Sequence, residues 1–220
     1  MNFDIKLEGY KLSFKSSYDK KRKTGYLCEY FPYGSLRAKT WRHNTWSPEI
    51  LNYKEGEDND IKFFVEPFSI LIKEVLNLTP FTNNEPIFLV PIPTSIVWNK
   101  PEYNNNPRKK GDPRNRDNRN IIFCQMLKNA LSKKFPSLTD IELIRRVTRV
   151  KTKDKSITAQ QHKASMKINN SICINNKAII ILIDDIITHG NTINGAKLLI
   201  QEQLPATEII CLAISRTTLS

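Results

Sequence analysis

The chain has 220 residues, of which 40% are hydrophobic, and a formal net charge of +12. This length suits one domain, and the apolar content excludes a disordered tail. No apolar run approaches the roughly 18 residues of a membrane-spanning helix, and four scattered cysteines without a CxxC pair argue against a disulfide framework or a Cys-rich zinc site. We therefore expect a cytoplasmic protein with reduced thiols and no membrane partner.

The positive charge is concentrated in two segments. Residues 99–120 contain seven basic and three acidic residues, and residues 145–167 contain eight basic residues and one acidic residue. Clustered positive charge indicates a polyanionic partner, which is a nucleic acid, an anionic surface or a small polyphosphate. A solvated basic surface is the alternative interpretation.

The N-terminal part of the chain predicts strands followed by a helix. Hydrophobic residues alternate loosely from about residue 3 to residue 32, which predicts two strands around a polar turn, Ser16–Thr24. The segment Phe63–Leu76 has hydrophobic residues at helical spacing and predicts an amphipathic helix.

From residue 87 onward, strands and helices alternate. The predicted elements, in chain order, are a strand at Ile87–Ile92, a loop at Asn99–Asn118, a helix at Ile121–Phe135 capped by Asp117 or Asn118, a strand at Ile141–Val147, a basic loop at Thr148–Lys163 that becomes helical near Ala159, a strand at Lys177–Ile183, a helix at Thr192–Leu204 and a strand at Glu208–Ile214.

This order predicts an α/β fold with a doubly wound, mostly parallel sheet and a small N-terminal β-containing extension. We expect residues 1–48 to form the hairpin extension and residues 49–220 to form the main domain. Ligands of such sheets bind at the carboxyl ends of the strands, so the functional loops should follow Ile92, Val147, Ile183 and Ile214.

The most informative segment is the aliphatic strand that ends in Asp184 and Asp185 and is followed by the turn from Thr188 to Thr192. Turn amides and a helix N-terminus favour a phosphate group. Adjacent carboxylates would repel that phosphate, so their useful partners are sugar hydroxyls or a divalent cation. The pattern indicates a sugar phosphate. The alternative is an ordinary turn after two acids that merely end a strand.

This segment resembles the phosphoribosyl-pyrophosphate (PRPP) binding motif of type I phosphoribosyltransferases. The resemblance implies that Asp184 and Asp185 are the catalytic-site acids that hold the ribose hydroxyls, and that they contact Mg²⁺ only indirectly, through those hydroxyls. It also implies that the residues Ile187, Thr188, His189, Gly190, Asn191 and Thr192 bind the 5′-phosphate. The family usually has Thr at the position of His189, which here either binds phosphate when protonated or lies on the surface.

Weaker features resemble ComF-like phosphoribosyltransferase domains, which occur in bacteria. Val90-Pro91-Ile92-Pro93 is similar to the end of a strand in that family, after which the loop, here Pro93, Thr94 and Ser95, contacts pyrophosphate. The segments Asn52-Tyr53-Lys54, Arg145–Gln161 and Ala213–Thr217 are also similar to ComF-like segments. The resemblance covers roughly residues 50–216 and implies PRPP or a nucleotide 5′-phosphate as ligand, Mg²⁺ as cofactor and transfer of phosphoribose to or from a nitrogenous base.

Basic residues would neutralise the departing pyrophosphate in such a reaction. The candidates are Lys54, Arg116, Arg119, Lys151, Lys153 and Lys155. The competing hypothesis is a non-catalytic PRPP-fold sensor or a nucleic-acid-binding accessory protein that uses the basic loops. Aromatic residues for base stacking are sparse in those loops, where only Tyr103 is present. A homodimer or a protein partner is compatible with either hypothesis.

Overall fold

A seven-stranded, mostly parallel sheet forms the centre of the fold. The computed structural model describes residues 1–32, 45–56, 58–80, 85–94, 113–148, 150, 156–174 and 177–218, with the backbone alone for 113–117. Its strands are β1 (Asn2–Ile5), β2 (Phe14–Asp19), β3 (Thr24–Tyr30), β4 (Ile87–Pro91), β5 (Leu138–Asp140), β6 (Ile144–Arg146), β7 (Met166–Ile168), β8 (Ile179–Ile187) and β9 (Glu208–Thr217). Its helices are α1 (Ser47–Glu55), α2 (Asp58–Asn77), α3 (Pro113–Leu131), α4 (Ala159–Ala164) and α5 (Asn191–Gln203). The predicted α/β class with a mostly parallel sheet is confirmed.

The strand order β1-β2-β3-β9-β8-β4-β5 contains a reversal of direction. The five strands from β3 to β5 in this order are parallel, and β8 lies in the middle of them. The chain steps outward from β4 to β5 and later, in the opposite direction, from β8 to β9. Ligands of open α/β sheets bind where the order reverses, so the sheet alone indicates the carboxyl ends of β4 and β8 as the binding edge.

Helices pack on both faces of this sheet. On one face, α1, α2 and α3 bury residues such as Tyr53, Phe68 and Phe123 against Ile181 and its neighbours. On the other face, α5 buries Ile193 and Ala196 against β8 and β9. The residues from Ile179 to Asp185 are all buried, because helices cover both faces of β8. Such covering explains why the sequence of this strand is almost continuously aliphatic.

The N-terminal strands extend this same sheet. The structure has three strands here rather than the predicted two, with β1 paired to β2 and β2 to β3 in antiparallel fashion. β3 then runs parallel to β9, with Tyr26 opposite Ala213. The turn between β2 and β3 is shorter than predicted, because alternate residues of β2 are buried as far as Tyr18. The boundary between residues 48 and 49 stays a prediction.

Three predicted elements need correction. Residues 113–118 are helical and not loop, so α3 begins ahead of the predicted caps Asp117 and Asn118; a proline suits this first helical position. The same helix ends at Leu131, before the predicted end at Phe135. The predicted strand Ile141–Val147 shrinks to β6, which pairs with β7 in a separate two-stranded sheet. The place beside β4 is taken by β5, which the sequence analysis did not predict.

In the part of the chain that the structure describes, none of the helices has the length and hydropathy needed to cross a membrane. Its four cysteines are free, and three of them, Cys28, Cys124 and Cys211, are buried.

Candidate functional site

The two acids lie inside the sheet and not in the turn after it. β8 continues through Asp184 and Asp185 to Ile187, with Asp184 opposite Ala213 of β9. This corrects the predicted strand end at Ile183, and the reason is that β9 also continues, to Thr217, and supplies pairing partners. Each acid is only 9% exposed. The carboxyl groups are thus held on rigid backbone at the edge where the strand order reverses.

The predicted phosphate turn follows directly. Thr188 and His189 are exposed, and Gly190 adopts φ 75°, a left-handed conformation that favours glycine. Helix α5 then begins without a side-chain cap, although the backbone N–H of Asn194 donates to the carbonyl oxygen of Gly190 at 2.9 Å. The first backbone N–H groups of a helix have no partner within the helix. At α5 they provide donors for an anion beside the acidic pair.

Neighbouring segments fix both ends of this turn. The hydroxyl groups of Thr188 and Thr217 are hydrogen-bonded at 3.1 Å, which joins the turn to the end of β9. The amide of Asn191 donates to the carbonyl oxygen of Ile157 at 2.8 Å, which joins it to the segment before α4. Ile187 is buried, whereas Thr192 is partly exposed in the first turn of α5.

Arg119 forms a buried ion pair with one of the two acids. Its Nη2 lies 2.6 Å from Oδ2 of Asp185, and the two side chains are 11% and 13% exposed. The other oxygen of Asp185 accepts from the backbone N–H of Ile186 at 2.8 Å. Arg119, a candidate for neutralising the departing pyrophosphate, thus contacts one acid of the pair.

The pKa values of the two adjacent acids are shifted in opposite directions. Burial and the neighbouring Asp185 carboxylate raise the pKa of Asp184 well above its usual range. Burial also acts to raise the pKa of Asp185, but the positive charges of Arg119 and Lys54 outweigh it and lower this pKa to about 2. Asp185 is therefore ionised at neutral pH, and Lys54 of α1 contributes a second positive charge to its surroundings.

A buried hydrogen-bond chain joins α1, α3 and β4 behind this ion pair. The Tyr53 hydroxyl donates to Oδ1 of Asn120 at 3.0 Å, and the amide of Asn120 donates to the carbonyl oxygen of Ile92 at 3.2 Å. Tyr53 and Asn120 are 0% and 3% exposed. Because Lys54 and Arg119 are the sequence neighbours of Tyr53 and Asn120, these hydrogen bonds hold the backbone from which both cations project.

Arg146 of β6 holds the loop that follows β4. It is 1% exposed, and its guanidinium donates to the carbonyl oxygens of Thr94 at 3.1 Å and Pro93 at 3.3 Å, and to the hydroxyl of Ser165 at 2.6 Å. Burial lowers the pKa of Arg146, and the Asp184 carboxyl opposes this effect. The predicted pyrophosphate loop thus begins next to the strand that bears the acidic pair, and a buried arginine binds its first two carbonyl oxygens.

Several predicted site residues lie outside the part of the chain that can be described. These are Ser95, Lys151, Lys153 and Lys155, together with the side chain of Arg116. Among the rest, the structure brings Lys54, Pro93, Thr94, Arg119 and residues 184–192 to one edge of the sheet.

A cavity of about 280 Å³ opens at the carboxyl ends of β4 and β5. Its walls include Pro91, Asp140, Glu142 and Arg145, with Cys124 of α3. Asp140 is also paired with Lys128, 3.0 Å away. The cavity lies at the same edge of the sheet as the acidic pair, on the β5 side of the reversal.

The acidic pair does not fit a magnesium ion held by the protein alone. Among the described residues, no group of three or more His, Cys, Asp or Glu side chains could hold a metal ion. One oxygen of Asp184 accepts from the backbone N–H of Asp185, and both oxygens of Asp185 already have partners. An Mg²⁺ ion here would have to bind chiefly to oxygen atoms of the ligand that brings it.

Sequence reasoning missed the structural part of the site, which consists of Arg146, Ser165, Tyr53 and Asn120 in these roles. Tyr53 and Arg146 occur in the segments that resemble ComF-like domains, but burial is what reveals their function as supports. A buried arginine beside an exposed one, Arg145, gives no separate signal in the sequence.

No protein-family model matches this chain, and no curated protein matches it.

Proposed function

We propose that this protein binds PRPP, or a nucleotide 5′-phosphate, and acts as a phosphoribosyltransferase of the type I kind. The observation that carries the proposal is the uncapped start of α5 at Gly190, placed directly after the buried pair Asp184 and Asp185 on the middle parallel strand. Backbone N–H groups that can bind a phosphate and carboxyl groups that can accept from hydroxyls thereby lie on either side of one turn. This arrangement suits a pentose 5-phosphate.

Each part of the ligand has a partner of matching chemistry. The 5′-phosphate accepts hydrogen bonds from the backbone N–H groups at the start of α5 and from the hydroxyl of Thr188. The 2′ and 3′ hydroxyls of the ribose donate to the acids, of which Asp185 is ionised. The diphosphate at C1′ extends toward the loop after β4, which Arg146 holds at Pro93 and Thr94.

The transfer reaction requires little covalent chemistry from the protein. The C1′–O bond to pyrophosphate breaks with its electron pair leaving on pyrophosphate, the C1′–N bond forms from a lone pair of the base nitrogen, and the proton of that nitrogen passes to solvent. Positioning and electrostatic stabilisation account for catalysis of this kind. Any Mg²⁺ that takes part enters with the substrate, bound to its phosphate oxygens.

The direct test is thermal unfolding with PRPP, with and without Mg²⁺, on the wild type and on Asp184→Asn/Asp185→Asn. A ligand at about 100 times its dissociation constant stabilises the folded state by roughly 2.7 kcal/mol, which raises the unfolding temperature by several degrees. We expect this increase for the wild type and its loss in the double variant, each measured against the same protein without ligand.

The matched control is Asp4→Asn, which removes an exposed carboxylate at the far edge of the sheet and should keep the full increase. An unchanged unfolding temperature of the wild type at millimolar PRPP in both buffers would refute the proposal. If PRPP binds but releases no pyrophosphate with any of the nitrogenous bases, the protein is a sensor and not a transferase.

A further inference from the structure

We infer that Arg119 is a permanent counter-ion of Asp185, so that this site binds a phosphorylated pentose without a divalent cation to neutralise its carboxyl groups. The inference rests on the proposed function, whose ligand it uses. Arg119 thereby acts as a specificity-determining residue of the site.

Arg119 and Asp185 form a short, buried ion pair. The Arg119–Asp185 contact is 2.6 Å long and both side chains are nearly buried, so solvent and salt screen this ion pair only weakly. Arg119 projects from α3, which Asn120, the next residue, fastens to β4 and to Tyr53. A long arginine side chain is therefore fixed at its base as well as at its charged end.

Positive charges outnumber negative charges around the two acids. Arg119 and Lys54 act electrostatically on Asp185, and Arg146 acts on Asp184. Three positive charges thus act on this edge, of which Arg119 is in direct contact with Asp185, while burial and the Asp185 carboxylate raise the pKa of Asp184. A phosphate that approaches this edge meets a positive local charge even when no metal ion is present.

Both carboxylate oxygens of Asp185 already accept hydrogen bonds. An oxygen that accepts from a guanidinium or a backbone N–H has less capacity for a cation, and each oxygen of Asp185 has such a partner. A magnesium ion demands near-octahedral geometry and gives up its water molecules reluctantly, whereas a ribose hydroxyl needs only one free lone pair of a single carboxylate oxygen. The arrangement favours a hydroxyl-bearing anion over a hydrated divalent cation.

The test measures binding of ribose 5-phosphate and of PRPP by calorimetry, once in EDTA and once with Mg²⁺. Ribose 5-phosphate has a single phosphate, so it reports the demands of the protein more than those of the ligand. We expect dissociation constants of the wild type for ribose 5-phosphate to agree within a few-fold between the two buffers. In Arg119→Gln, we expect binding in EDTA to weaken by about tenfold or more and Mg²⁺ to restore part of it.

Two further variants separate charge from contact. In Arg119→Gln/Asp185→Asn the cation and the anion are removed together. The ratio of the dissociation constant in EDTA to that with Mg²⁺ should therefore return toward the wild-type value, although affinity itself falls. Lys54→Gln removes the second cation without breaking the buried pair and should increase the ratio by less than Arg119→Gln does. The Lys54 variant also keeps the test usable if Arg119→Gln does not fold.

The possible results are distinct. Binding by the wild type only with Mg²⁺ overturns this inference and leaves the proposed function intact. An equal ratio in the wild type, Arg119→Gln and Lys54→Gln also overturns it. Absence of binding in both buffers, for both ligands, rejects the proposed function and this inference with it.

Discussion

The hydroxyl of Tyr53 donates a hydrogen bond to Oδ1 of Asn120, 3.0 Å away, in a part of the interior that water does not reach. Asn120 passes the connection on to the carbonyl oxygen of Ile92. Two helices and the end of a strand are thereby joined through the side chains of Tyr53 and Asn120. The cations Lys54 and Arg119 stand next to these two residues in the chain, so the same connection supports the candidate site.

Tyr53→Phe should lower the free energy of unfolding by roughly 1–3 kcal/mol, because it leaves the buried Oδ1 of Asn120 without its donor. Urea denaturation measures this change. The control is Tyr10→Phe, which removes a hydroxyl from a side chain that is 53% exposed and should change the stability by less than about 0.5 kcal/mol. Equal effects of the two variants would contradict the importance of the hydrogen bond.

Arg146→Lys should destabilise the protein although it keeps the charge. The planar guanidinium donates to the oxygens of Pro93, Thr94 and Ser165 through three nitrogens. The single ammonium nitrogen of lysine does not reproduce this geometry. Hydrogen bonds to charged groups contribute about 1.5–3 kcal/mol each, so we expect a loss of at least about 2 kcal/mol in urea denaturation.

The neighbouring arginine provides a matched control for that experiment. Arg145 is exposed, and Arg145→Lys should alter the stability by no more than about 0.5 kcal/mol. A similar loss in both variants would show that the buried contacts of Arg146 do not determine the result.

The sequence was sufficient for elements with a strong hydrophobic pattern. The aliphatic run before Asp184 predicted a buried central strand, and the spacing from Phe63 to Leu76 predicted the core of α2, because burial on one or both faces leaves a period that can be read. The turn around Gly190 was predicted because a glycine stands between this strand and the next helix, and the structure shows that the glycine has a left-handed conformation.

The sequence was insufficient where pairing in space decides the structure. The first turns of α3 consist mainly of Arg and Asn and have no hydrophobic period, so the segment was interpreted as loop. The choice between β5 and β6 as the strand beside β4 depends on a competition that no local pattern records. The contact of Arg119 with Asp185 spans 66 residues, so the sequence showed the cation but not its partner.

Gly195→Ala should destabilise the protein, although alanine is normally favoured over glycine within a helix by about 1 kcal/mol. An added Cβ would lie 2.7 Å from the carbonyl oxygen of Ala159 and 2.7 Å from Cβ of His162. The backbone atom of α4 has little room to move, and overpacking costs about 1–3 kcal/mol. We expect a net loss in urea denaturation.

The control for this variant is Gln201→Ala at an exposed position of the same helix, which should be neutral or slightly stabilising. If Gly195→Ala stabilised the protein, the close packing of α4 on α5 would not be a constraint on the fold.

The two adjacent acids should respond to amidation in opposite directions. The raised pKa of Asp184 means that its contribution to stability is complete below the unfolded value of 3.8 and decreases as the pH rises toward its folded pKa. Asp184→Asn removes this cost, so its advantage over the wild type should be absent near pH 3 and increase above pH 4. The lowered pKa of Asp185, about 2, means that its contribution is complete above 3.8 and is lost as the pH falls through about 2.

Asp185→Asn should therefore destabilise the protein at neutral pH by roughly 3–5 kcal/mol, because it removes the buried carboxylate that pairs with the guanidinium of Arg119. Urea denaturation of the wild type and both variants between pH 3 and pH 8 provides the comparison. Changes of the same sign in the two variants would mean that Arg119 does not discriminate between the acids. Opposite signs would show that two carboxyl groups, adjacent on one strand, hold different protonation states because one of them has a buried arginine as its partner.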